Sequence, residues 1–129
     1  MIHIEKDKIY PKVLESEAII RFQDCDPLQH LNNAKYFDYF FNAREDQVAK
    51  LYGVRPADFF KEYQANWVVY NHQISYLRPA DVGEWIAIRS SVIYFNKDSM
   101  VTEFYMLDEK KTQLKTILWT TSVFVDGET

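Results

Sequence analysis

A single cysteine, Cys25, rules out an internal disulfide and fits a reducing compartment. No apolar run comes near the ~18 residues needed to span a bilayer. The first residues, "MIHIEKDKIYPKV", mix charges with isolated apolar side chains, so no apolar core of a secretion signal is present. A soluble, cytoplasmic protein with no membrane partner is expected. Basic stripes are missing too: the net charge is −4, and Lys110-Lys111 reads as a solvated turn, which argues against nucleic acid. Metal-ligand spacing is also absent. His3, His30 and His72 lie far apart, with no helical histidine pair and no cysteine partners, so neither a metal nor a cofactor is expected. There is no repeat, linker or low-complexity segment. The chain suits one domain, residues 1–129, with a real core.

What the chain has in quantity is aromatic surface. Phe, Trp and Tyr make up 16% of the residues, a large apolar area for so short a chain, and burial against a second copy is expected. Glu17 to Phe22 reads as a short strand. After a polar stretch, "AKYFDYFFNAREDQVAKLYG" is helix-like up to Gly53, with Asn32 and Asn33 as cap residues. Phe37, Phe40, Phe41, Val48 and Leu51 keep helical spacing, and Tyr36, Tyr39 and Ala43 add an adjoining face. Such a helix is buried on more than one side. Asp58 is placed to cap a short second helix through Lys61 or Glu62. The period then changes, and Trp67–Leu77, Glu84–Phe95, Met100–Leu107 and Leu114–Val125 read as long strands. The last two connections are short, which makes those strands antiparallel neighbours. The expected class is α+β, an antiparallel sheet wrapped around a long central helix.

The chemistry-bearing stretch is "FQDCDPLQHLNN", Phe22 to Asn33. Pro27 holds Asp26 extended, ending the strand at the acid. Cys25 invites a nucleophile reading with His30 as base, but no helix starts at the cysteine to lower its pKa, and a lone cysteine usually behaves as a small hydrophobe. Asp24 and Asp26 point to the same side in extended geometry, and an Asx turn accounts for one of them. Just ahead lies a helix start, whose unpaired N–H groups stabilise a carboxylate or a reacting oxyanion. Read from the residues alone, Asp26 stands between a turn residue and a functional acid.

"DCDPLQHLNNAKY", with Arg21 ahead and "FFNARED" behind, resembles the active-site segment of the hotdog-fold thioesterases, and "HQISYLRPADVGE" downstream resembles the stretch by which that family enters its second strand. These form the 4-hydroxybenzoyl-CoA thioesterase and acyl-CoA/acyl-ACP thioesterase superfamily, and the likeness runs over roughly residues 16 to 126. It implies a hydrolase of acyl-CoA, or alternatively of thioesters on acyl carrier protein, with Asp26 as nucleophile or general base. Asn33 falls where the family binds the thioester carbonyl through a backbone N–H. His30 matches a catalytic or positioning histidine, Tyr36 a tyrosine lining the site, and Asp24 a structural position. Tyr39 and Phe40 join Tyr36 as candidates for the wall of the acyl pocket. In the family two sheets join side by side with sites at the interface, which implies a homodimer or homotetramer. The chain departs from its relatives at Leu28, where the plant-type branch has Asn, and at Phe41, where many relatives carry Glu. A hotdog protein that binds acyl thioesters without cleaving them is the rival reading.

Overall fold

The computed structural model describes residues 12–55, 57–58, 61 and 67–125. The short helix expected from Asp58 lies largely outside the described residues. Strand β1 spans Leu14–Ile19 and runs a few residues earlier than its sequence suggested. Glu15 and Glu17 disguise its start, because they point to the outer face while Leu14, Ser16 and Ala18 turn inward. Glu15 is not stray charge there: Arg89 Nε meets its Oε1 at 2.8 Å across the sheet. After β1 the chain tightens into a single 3-10 turn, Phe22–Asp24, where strand had been expected.

A 3-10 turn at Asn33–Lys35 leads into helix α1, Tyr36–Tyr52. Gly53 ends it in the left-handed region, φ 70°, where glycine is free of the Cβ penalty. Strands β2 (Trp67–Tyr76), β3 (Trp85–Phe95), β4 (Ser99–Asp108) and β5 (Leu114–Phe124) follow. All pairs are antiparallel, in the order β1-β3-β4-β5-β2. Strand β2 therefore does not pair with β3, its successor in the chain. It crosses to the far edge and pairs with β5, from Trp67 opposite Phe124 to Tyr76 opposite Thr116.

The sheet curls around α1. Tyr36, Phe40, Ala43 and Gln47 recur at helical spacing and are buried against Ile86, Ile88, Phe104, Met106 and Leu118. Phe40 is wholly buried, its ring 5.4 Å from that of Phe104. Burying one such side chain contributes about 1.5–3 kcal/mol. Further along the helix, Gln47 Nε2 donates to Ile88 O (3.0 Å) and to Ser16 Oγ (2.8 Å), and its Oε1 accepts from Ser90 Oγ (2.6 Å). A buried amide fully satisfied in this way fixes the register of α1 on β1 and β3.

The crossover from β2 to β3 is what positions the site. Lys115 of β5 is buried, and its Nζ donates to Pro79 O at 2.9 Å and meets Glu84 Oε2 at 3.1 Å. Both ends of the crossover are thereby pinned to the last strand. An open groove of about 490 Å³, lined by Val13, Glu15, Arg89, Ser91, Glu103 and Tyr105, lies on the sheet face turned away from α1. It is remote from the polar loop.

Candidate active site

The loop after the 3-10 turn folds back on itself. Cys25 pairs with Leu31 and His30 with Asp81 as isolated antiparallel bridges. The Asp26 N–H donates to His30 O (2.8 Å), Asn32 N–H to Asp24 O (2.9 Å), and Leu31 N–H to Ala80 O of the crossover (2.8 Å). Gln29 stands at the tip with φ 66°, a left-handed turn position. Asp24 to Asp26 thus lie beside His30 to Asn32, at the mouth of the helix.

Asp26 is held by one oxygen only. Its Oδ1 accepts the Leu28 N–H at 2.9 Å and the His30 N–H at 3.2 Å, which is the expected Asx turn in the loop after Pro27. Its Oδ2 takes part in no hydrogen bond among the described residues. A carboxylate anchored through one oxygen keeps a fixed direction while the other stays open to a substrate or water. Turn and functional acid are therefore compatible in one residue.

The helix start divides its tasks between neighbours. Asn32 Oδ1 caps the Ala34 N–H at 3.0 Å. The Asn33 N–H, at the first position of the helical run, has no acceptor within the helix. Tyr76 on β2 fixes that residue from the other side by donating its hydroxyl to Asn33 O at 2.9 Å. The Tyr76 ring in turn stands edge-on to Tyr36, with centroids 5.1 Å apart. Tyr36 is 2% exposed and accepts the Ala80 N–H at 3.2 Å, so it ties helix to crossover; burial pushes its pKa up.

The other named residues take distinct places. His30 is partly buried, with Nε2 3.5 Å from Asp81 Oδ1, a charge contact when the ring is protonated. Tyr39 lies on the opposite flank and donates its hydroxyl to Asp24 Oδ2 at 2.7 Å. Phe40 packs in the core beneath. The Cys25 thiol donates to Arg21 O at 3.4 Å, and burial, followed by the charges of Asp24, Asp26 and Asp81, pushes its pKa up. That disfavours the thiolate a nucleophile needs. Among the described residues no three His, Cys, Asp or Glu side chains are grouped to hold a metal ion. Asp81 and Tyr76 fall within the family-like stretch His72–Glu84, but each lies more than forty residues from the loop it serves, and nothing local assigns either a place in the site.

This arrangement can bind a carbonyl oxygen at a helix start with a carboxylate alongside. Comparison with known proteins points the same way. Residues 20–129 match the family model of the thioesterase-like superfamily. The long-chain acyl-CoA thioesterase FadM of Escherichia coli is 28% identical over 119 residues, 90% of this chain and 86% of that protein. The structure of E. coli YbaW, a probable thioesterase, superposes with a TM-score of 0.73 at 26% identity, covering 88% of this chain and 83% of that one. DHNA-CoA thioesterase from Staphylococcus aureus shares the fold at a TM-score of 0.76 and 22% identity, over 91% and 76% of the two chains. With a five-stranded sheet curled around one long helix among its described residues, the chain belongs to the thioesterase-like superfamily as a hotdog-fold thioester hydrolase.

Proposed function

We propose that the protein hydrolyses acyl-CoA to free acid and CoA, with Asp26 carrying the chemistry. The observation that supports this best is the half-anchored carboxylate: Oδ1 tied by two backbone N–H groups, Oδ2 open beside the helix start. The thioester carbonyl oxygen accepts from the Asn33 N–H, which stabilises the oxyanion as the tetrahedral intermediate forms. Oδ2 then acts in one of two ways. As nucleophile it bonds to the carbonyl carbon, the C–S bond breaks with departure of CoA thiolate, and water hydrolyses the acyl–Asp26 anhydride. As general base it takes a proton from water, whose hydroxide displaces the same thiolate. A thiolate leaves readily, so neither route needs a strong acid. His30, bound to Asp26 through both its backbone groups, positions the carboxylate. Tyr36, Tyr39 and Phe40 build the packed wall behind the reacting carbonyl.

The likeness to an acyl-CoA thioesterase supports CoA over acyl carrier protein as the carrier of the acyl group. A homodimer or homotetramer is proposed because β2 is a ten-residue edge strand with Val68, Val69 and Tyr70 exposed. A reducing, cytoplasmic setting suits the free thiol of Cys25.

The test is a hydrolysis panel of acyl-CoAs differing in length, aromaticity and terminal charge, with matched acyl carrier protein thioesters alongside. Apolar acyl-CoAs are expected to turn over faster than dicarboxylyl-CoAs, because Phe41 replaces the usual helix carboxylate. No turnover with any thioester, together with retained binding, would establish the non-catalytic binder instead.

A further inference from the structure

A seam leaves the site along α1, and a histidine stands at its far end. On the helix side run Asn33, Phe37 and Phe41, one turn apart. On the β2 side run Tyr76, Ile74 and His72, alternate residues on one face of the strand. The two rows are antiparallel: Tyr76 meets Asn33 at one end, and the His72 ring lies 4.9 Å from Phe37 and 5.5 Å from Phe41 at the other. Phe37, Phe41 and Ile74 are only partly buried where they lean on the core, whereas Phe40 on the adjoining helix face is wholly buried. Open apolar surface therefore continues from the Asn33 N–H in this direction, while the route beneath the helix is filled.

The length of the seam follows twice from backbone geometry. Asn33 to Phe41 spans eight helical rises, about 12 Å. Tyr76 to His72 spans four strand rises, about 13 Å. The end is rigid, since His72 Nδ1 is 3.0 Å from Thr120 Oγ1 on β5, and Phe41 stands edge-on to Phe104 at 5.8 Å. Burial pushes the His72 pKa down, which disfavours the charged form of the ring beside apolar groups.

We propose that this seam receives the acyl chain and that His72, wedged on Phe37 and Phe41, is its end stop, restricting the substrate to acyl groups of medium length. The proposal rests on the thioester carbonyl sitting at Asn33. Binding of non-hydrolysable S-alkyl-CoA thioethers, from hexyl to hexadecyl, is measured by calorimetry so that the chemistry of Asp26 does not enter. Wild-type affinity should climb by up to about fourfold per methylene and then break off near decyl. In His72→Ala the climb should continue, with hexadecyl bound at least about tenfold tighter than by wild type. His72→Phe should keep the break. The wild-type profile needs no substitution: an unbroken climb to hexadecyl overturns the end stop, as does a break that fails to move in a folded His72→Ala protein. Absence of binding at every length overturns the seam. A break in binding without hydrolysis of any acyl-CoA would sink the thioesterase reading and leave the seam standing. Hydrolysis without a break would do the reverse.

Discussion

Tyr39 donates its hydroxyl to Asp24 Oδ2 at 2.7 Å while accepting the Arg21 N–H at 2.9 Å, so one phenol joins the end of β1, the site loop and the helix. Burial first, and then the bond to the Asp24 carboxylate, push the Tyr39 pKa up to about 12. Tyr39→Phe should cost up to about 1.5–3 kcal/mol, the range for a hydrogen bond to a charged group. The sign of the pH effect follows from the raised pKa. The contribution is complete below the unfolded tyrosine value near 10 and is lost as pH rises toward about 12. Denaturant titrations across that window should show a shallower alkaline decline in Tyr39→Phe than in wild type.

Asp26→Asn preserves the shape and the Oδ1 acceptor but removes the base or nucleophile. Acyl-CoA turnover should fall by at least about 10²-fold, the usual range for a lost general base. Cys25→Ser should stay within about tenfold of wild type, because a packed thiol is exchanged for a near-isostere. His30→Ala should fall between the two, since its ring is lost while the backbone bonds to Asp26 persist. Hydrolysis rates of the three variants measured side by side decide this. A dead Cys25→Ser beside an active Asp26→Asn would return the chemistry to the thiol.

Sedimentation at micromolar concentration should give at least a dimer mass. Replacing exposed Val69 by Lys on β2, an edge strand among the described residues, should weaken that association, because edge charges oppose strand pairing. Full activity in a monomeric wild-type protein would count decisively against an interface site.

The parts legible in the sequence were those encoded locally. Helical spacing of the aromatics marked α1, turn residues marked the strand ends, and Pro27 marked Asp26 as the acid at the head of the loop. What stayed hidden depends on pairing between distant segments. Nothing near Trp67–Tyr76 says that this strand skips β3 and pairs with β5. Lys115 is buried only because Pro79 and Glu84, some thirty residues or more away in the chain, close over it. Tyr39 reads as a pocket aromatic, and only the fold brings Asp24 to its hydroxyl. Likewise Tyr76 and Asp81 gain their connection to Asn33 and His30 only through the crossover.

That crossover also fixes when the site can exist. Its two ends are held by Lys115 on β5, and among the described residues β2 pairs with β5 alone. Pairing Trp67 with Phe124 closes a loop of more than fifty residues, a contact of high sequence separation that is slow to form because the closure entropy is lost before the pairing compensates it. A chain emerging from the ribosome carries Asp26, His30 and Asn33 early, yet lacks the floor beneath them until β5 is free to pair. Assembly of the site therefore depends on the docking of β5.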